Sequence, residues 1–233
     1  MSATKTGAAS ACADFDADVA IVGGGPVGTF LAILLGRQGK RVTLIERWTQ
    51  SYGRPRAVTY DHEIARLLAV LGIDSENDPA ISYHDELYYW KDANRENLQI
   101  VDWQSTSASG WRVRYWCNQP ALEARLTGIA SEYPNITLIR GFDAVGLVQD
   151  ADSATLTLRR TAAEDADSTE TRTIRAKFVV GADGANSMVR QALGIENEDK
   201  GYFFDWLILD MIPQFDYVAS RKDEPAQWQL CDP

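Results

Sequence analysis

Apolar and polar positions alternate along the chain in blocks that change period. Val19 to Val22 form a short unbroken apolar run, a glycine cluster follows, and Val27 to Leu35 continues with helix-compatible apolar residues. A run of that kind fits a strand buried on both faces, so the order predicts strand, tight turn and helix. A second strand is predicted over Arg41 to Ile45, ending on Glu46. The pattern then lapses into a Gly-, Pro- and Arg-rich linker, "SYGRPRAVTYD". After it, a helix from about Asp61 to Leu71 would turn Ile64, Leu67, Leu68 and Leu71 inward and stop at Gly72. "ELYYWKDANRENLQIVDW" reads as two strands around a polar turn, continuing toward "WRVRYW". Asn118 is suited to cap a short helix with Pro120 in its first turn and Leu122 and Leu126 on its buried side. Beyond it "NITLIRG", "AVGLVQD", "ATLTLRR" and "TIRAKFVVGAD" alternate as strands, and "TAAEDADSTE" reads as an exposed hairpin tip.

The first turn carries chemistry. Gly23, Gly25 and Gly28, with Pro26 and Val27 between the last two, fill the places of G-x-G-x-x-G between a strand and a helix. The first glycine permits the tight turn, the second lets a pyrophosphate approach the backbone, and the third lets the helix pack against the strand. Free N–H groups and the helix dipole then face an anion. Glu46, 18 residues after Gly28, stands at the tip of the second strand, where a carboxylate accepts from the ribose hydroxyls of an adenosine and repels the extra phosphate of NADP. FAD and NAD both satisfy these residues. A second strand-turn-helix corner lies in "FVVGADGANSMVR", with an acid flanked by glycine, Asp183-Gly184, and a helix expected from Asn186 or Ser187 to just before Gly194. Alone, that dipeptide means a turn.

Charge and composition narrow the field. The 233 residues carry 23 basic and 33 acidic side chains, a formal charge of -10 that repels nucleic acid and anionic membranes. Cys12, Cys117 and Cys231 are far apart and share no metal-ligand spacing with His62 or His84, so no metal site and a reduced, cytoplasmic setting are expected. No apolar stretch is long enough for a bilayer span, and residues 1–13 read as a loose tail. Tyr88, Tyr89, Trp90, Trp103, Trp111, Tyr115 and Trp116 fit strand packing better than the wall of an aromatic pocket. Arg112 and Arg114 share a strand face and could reach a substrate carboxylate or simply face solvent. Neither the histidines nor any other residue earns a catalytic role.

Together these segments resemble the single-component FAD-dependent aromatic hydroxylases with the p-hydroxybenzoate hydroxylase fold, over nearly all of the chain from Asp18 onward. "GGGPVG" with Glu46, and Arg47 beside it, is similar to their FAD fingerprint, and "GADGANSMVR" to their D-G motif near the pyrophosphate. "GRPRAV" resembles the arginine segment that crosses the flavin ribityl chain, which carries that role onto Arg56 and Arg54. Gln119 matches a position whose side chain approaches the FAD. "YFFDWLILDM" resembles a strand entering the substrate sheet, and "QWQLCDP" a motif of the 3-(3-hydroxyphenyl)propionate hydroxylase branch.

The resemblance implies an α/β fold in which a Rossmann-like FAD-binding domain with a parallel sheet is interleaved with a mixed or antiparallel β-sheet substrate domain. The expected boundaries are a tail at 1–17, an FAD-binding domain at 18–77 and 110–198, and the start of a substrate domain at 78–109 and 199–233. It also implies Gly23, Gly25, Pro26, Val27, Gly28, Glu46, Arg47, Arg54, Arg56, Gln119, Asp183 and Gly184 as cofactor residues. The implied reaction hydroxylates a phenol with O2 and NADH or NADPH through a flavin C4a-hydroperoxide, in an enzyme whose full length has room for a homodimer surface. Family members run longer, with a third, G-D motif expected after Pro233, so the chain is expected to be the N-terminal part of such an enzyme. An NAD-dependent reductase of another class and a non-catalytic dinucleotide-binding remnant stay open on the residues alone.

Overall fold

The computed structural model describes residues 15–51, 53, 56–83, 86–161, 170–201, 207, 209, 214 and 228–231. Most of the N-terminal tail with Cys12, and also Arg54, His84, residues 162–169 of the hairpin tip and nearly all of "YFFDWLILDM", lie outside the described residues. The chain divides into two compact units, Met1–Tyr52 with Glu123–Glu196, and Gly53–Leu122 with Asn197–Pro233.

The first unit is built on a six-stranded sheet. Its order is β8 (Ile136–Arg140), β2 (Val42–Glu46), β1 (Ala17–Val22), β11 (Thr171–Gly181), β10 (Ala154–Arg160) and β9 (Phe142–Gln149). The β8, β2, β1 and β11 pairings are parallel, and β11, β10 and β9 are antiparallel. β1 is central and apolar on both sides, as its unbroken pattern requires: Ala20 and Ile21 are fully buried. Val19, Ile21, Val42 and Leu44 pack with Ala32 of α1 (Pro26–Arg37), while Ala20, Val22 and Ile45 pack with Leu156, Leu158 and Phe142 of the antiparallel strands. Burying one such side chain fully stabilises by roughly 1.5–3 kcal/mol, so these two layers hold the strand tips in place. Gly36 lets α1 approach β8, since a Cβ there would stand 2.6 Å from Ile136.

The second unit holds two three-stranded sheets. One is β12 (Trp228–Leu230), β5 (Leu87–Lys91) and β6 (Asn97–Asp102); the other is β3 (Thr59–Asp61), β7 (Arg114–Cys117) and β4 (Ile81–Tyr83). Tyr115 is fully buried on β7 and stacks on Tyr60 of β3 with centroids 5.3 Å apart. Burial and the adjacent Glu76 carboxylate push the Tyr115 phenol up to about 12, so it stays protonated at neutral pH. α2 (His62–Val70) starts on the Asp61 carboxylate, which accepts from the Glu63 and Ile64 amides, and ends at Gly72 with φ +80°. α3 (Gln119–Ser131) begins in this unit and continues in the first, with Leu122 and Leu126 buried as expected.

Several expectations differ from the structure. The helix face of α2 is turned by about one residue: Ala65 and Leu68 are its buried positions, and Ile64 is exposed because it sits in the first turn beside the cap. The linker contains β3, which forms because β7 offers it an antiparallel partner. Residues 53–77 and 110–122 lie in the second unit, where β3, β4 and β7 bond to one another. His62 is half-buried and hydrogen-bonded to Ser109, and burial pushes the Cys117 thiol up.

Candidate cofactor site

The carboxyl ends of β1, β2 and β11 meet in the first unit, and each glycine of the fingerprint has a separate reason to be there. Gly23 adopts φ +107°, its amide donates to Ile45 O at 2.8 Å, and a Cβ would come within 2.2 Å of the Ala182 carbonyl oxygen. It is therefore the point of closest approach between the first corner and the strand end of the second. Gly28 carries α1 across the same turn: a Cβ there would lie 1.9 Å from Gly23 O. Gly25 is different. It is the N-cap of α1, it has ordinary extended backbone, and nothing stands within 4 Å of where its Cβ would be.

That open space faces a helix start with no side-chain cap, with Pro26 at its first positions and no acid in its first turn. Amides there lack a protein side-chain acceptor, and the helix dipole adds roughly 0.3–1 kcal/mol for an anion. Glu46 completes the constellation. One of its oxygens accepts from the Gly24 amide at 2.7 Å and the other from the Trp48 amide at 2.9 Å. Each carboxylate oxygen keeps a further lone pair, so a fixed two-pronged acceptor remains for a pair of vicinal hydroxyls. Gly24 was not singled out in the sequence. Its Cβ would meet the Glu46 side chain at 2.8 Å, a contact between residues far apart in the chain and hence invisible to local pattern.

The second corner serves itself. Asp183 accepts from the Ser187 hydroxyl and from the Val189 amide, and the Ser187 hydroxyl accepts from the Arg190 amide at the start of α4 (Met188–Ala192). Both oxygens of this acid thus accept from the start of its own helix, while Gly184 takes φ +82° beside it. Arg47 stacks on Trp48 at 5.2 Å, and its carbonyl accepts from the Thr161 hydroxyl, which fixes the loop after Glu46. In the second unit, Gln119 is buried and its side-chain carbonyl accepts from the amides of Arg56 and Ala57 at 2.8 and 2.7 Å. Gln119 therefore anchors the backbone of the arginine segment. Among the described residues no group of His, Cys, Asp or Glu could hold a metal, and no helix is long and apolar enough to cross a membrane.

The residues fit the adenosine and pyrophosphate of a dinucleotide: an uncapped helix start, open space at Gly25 and a held carboxylate at the next strand tip. The model of the FAD binding domain family matches residues 16–231. The chain belongs to that family. The expected family and its α/β fold with a Rossmann-like sheet are therefore borne out.

The chain is 36% identical over 216 residues to the probable NADH-specific resorcinol 4-hydroxylase of Rhodococcus jostii (strain RHA1), covering 93% of this chain and 39% of that protein. It is 34% identical to the 3-(3-hydroxy-phenyl)propionate/3-hydroxycinnamic acid hydroxylase of Burkholderia cenocepacia (strain HI2424), covering 92% of this chain and 37% of that one. Among solved structures it resembles p-nitrophenol 4-monooxygenase PnpA from Pseudomonas putida DLL-E4, with a TM-score of 0.65 and 26% identity, covering 76% of this chain and 43% of that one. A ternary complex of aklavinone-11 hydroxylase with FAD and aklavinone matches with a TM-score of 0.63 and 26% identity, over 78% and 35% of the two chains. The chain spans about two-fifths of the length of the curated relatives it matches.

Proposed function

We propose that this chain supplies the dinucleotide-binding part of an FAD-dependent aromatic hydroxylase that uses NADH and O2 on a phenolic substrate. The observation that supports this most is the pairing of an open, uncapped corner at Gly25 with a doubly held Glu46 carboxylate. Gly23, Gly25, Pro26, Val27 and Gly28 hold the pyrophosphate, and Glu46 accepts from the ribose hydroxyls with Arg47 beside it. Asp183 and Gly184 shape the neighbouring strand end, and Arg54 and Arg56 take the flavin-side role that the resemblance implies, with Gln119 fixing the backbone at Arg56 and Ala57.

When bound, FAD supplies hydride acceptance and oxygen activation, and the chain contributes position and exclusion of water. NADH is favoured over NADPH by the resorcinol hydroxylase relative, which is named as NADH-specific. The class of substrate, a hydroxylated benzene ring, follows from the same relatives. A cytoplasmic setting and a homodimer of the longer enzyme belong to this reading.

The test is to titrate the purified chain with FAD and follow the visible flavin bands, then measure NADH oxidation by the loaded protein with and without resorcinol or 3-(3-hydroxyphenyl)propionate. Perturbed bands are expected of the chain itself, and phenol-stimulated oxidation of a longer protein that contains it. A chain that binds NAD but no FAD would overturn the reading in favour of a reductase, and FAD binding without any response to phenols would reduce it to a dinucleotide-binding module.

A further inference from the structure

Thr29 is a buried polar residue one turn into α1, and its hydroxyl is used outside the helix. A threonine in a helix commonly returns its hydroxyl to a carbonyl three or four residues back. Here the carbonyl four back, Gly25 O, is bonded by the Thr29 amide at 3.0 Å. The hydroxyl donates instead to Gly24 O, also at 3.0 Å, a carbonyl that precedes the helix and has no place in its ladder.

That bond fixes a peptide plane that the sequence leaves loose. Gly24 and Gly25 carry no side chains, and turning over the peptide between them changes only ψ of one glycine and φ of the other, which glycine tolerates. In a trans peptide the carbonyl and the N–H point to opposite sides. With Gly24 O drawn onto Thr29, the Gly25 N–H is turned away from Thr29. Among the described residues no acceptor stands at that amide, and it belongs to the residue with open space at its Cβ position. Turned over, the same peptide would offer its carbonyl oxygen to an anion and repel it. The preceding plane has its own anchor, since the Gly24 amide donates to Glu46 at 2.7 Å. Two successive peptides of the turn are thus each held by one side chain, one from β2 and one from α1.

We propose that Thr29 is a positioning residue of the cofactor corner: its hydroxyl locks the Gly24–Gly25 peptide so that the Gly25 N–H donates to a phosphate oxygen of a nucleoside diphosphate group. This assignment rests on the FAD-binding reading and adds to it a residue outside the glycine fingerprint. Thr29 acts on the ligand only through that peptide and touches no reacting atom.

The experiment uses ADP, which carries adenosine and both phosphates without the flavin. Its affinity for the full chain is measured by calorimetry in the wild type, Thr29→Val and Thr29→Ser, and the Gly25 amide is followed by NMR as ADP is added. Thr29→Val keeps the branched shape and removes the hydroxyl, whereas Thr29→Ser keeps the hydroxyl and removes a methyl. Thr29→Val is expected to lower ADP affinity by about threefold to tenfold, the range of one hydrogen bond, and Thr29→Ser to stay within about twofold of the wild type. The Gly25 resonance should move with ADP in the wild type and in Thr29→Ser, and less in Thr29→Val. Thermal unfolding of the same samples checks that each is folded, and Thr29→Ala, which also lacks the hydroxyl, takes the place of Thr29→Val if that variant does not fold. ADP binding at wild-type strength without the hydroxyl, an equal loss in Thr29→Ser, or a wild-type Gly25 amide unmoved by bound ADP would each overturn the proposal. An FAD titration of the wild-type sample separates the two levels: bound FAD alongside any of these results leaves the FAD reading standing, and no bound FAD removes both.

Discussion

The two strand-turn-helix corners of the first unit share a plan and differ in what satisfies their helix starts. At Gly23–Gly28 the helix begins on a glycine with no side-chain cap, and the space beside Gly25 is open. At Gly181–Ser187 the helix begins on Ser187, and Asp183 closes back onto it with both carboxylate oxygens. One corner is complete without a ligand and the other is not. A polar residue at a helix start is therefore a weaker sign of a binding site than the absence of one, since a capped terminus has already met its need.

The largest effect should come from joining the corners too tightly. Gly23→Val places a side chain against the Ala182 carbonyl at a φ that L-residues avoid, so loss of the folded state is expected in thermal unfolding and soluble yield. Glu46→Gln comes next. It swaps one of the two amide acceptors for a donor facing an N–H, which should cost roughly 1–3 kcal/mol of stability and at least about tenfold in FAD affinity, read by denaturant unfolding and flavin titration. Asp183→Asn and Ser187→Ala attack the self-capped corner and should each cost about 0.5–2 kcal/mol of stability while changing FAD affinity much less. A larger loss of FAD binding than of stability in either variant would erase the distinction between the corners.

The smallest effect lies at the opposite end of β1. Asp18 accepts from the Arg41 amide and is paired with Lys177 at 3.1 Å and Arg41 at 3.5 Å, interactions that hold its carboxyl at about 2 against an ordinary value near 3.9. Its folded value is the lower one, so its contribution to stability is present above about pH 4 and is lost as the pH falls through about 2. Asp18→Asn should flatten the acid limb of the unfolding curve between those limits and leave the neutral-pH FAD titration unchanged.

How far the sequence went follows from the range of each interaction. β1, the glycine turn, α1 and β2 were legible because period, turn residues and helix start all agree within thirty residues or so of chain. The second corner was legible as a shape, but the inward turn of Asp183 depends on how Ser187 and Val189 are presented, which no local pattern encodes. Gln119 was found as a site residue by resemblance, whereas its hold on Arg56 spans 63 positions. β12 pairs in parallel with β5, an association between the two separate stretches of chain that make up the second unit, which strand propensity does not specify. Gly24 belongs to the same class, being defined by what stands opposite it in space.

The most direct measurement is an FAD titration of Gly25→Ala beside the wild type, with thermal unfolding run on the same samples. Gly25 has extended backbone and empty space at its Cβ, so alanine should leave the apo protein's melting temperature unchanged and lower FAD affinity by about tenfold or more, the methyl standing where the pyrophosphate must approach. FAD binding at wild-type strength by a folded Gly25→Ala chain would contradict the claim that this open corner is the cofactor's anchor.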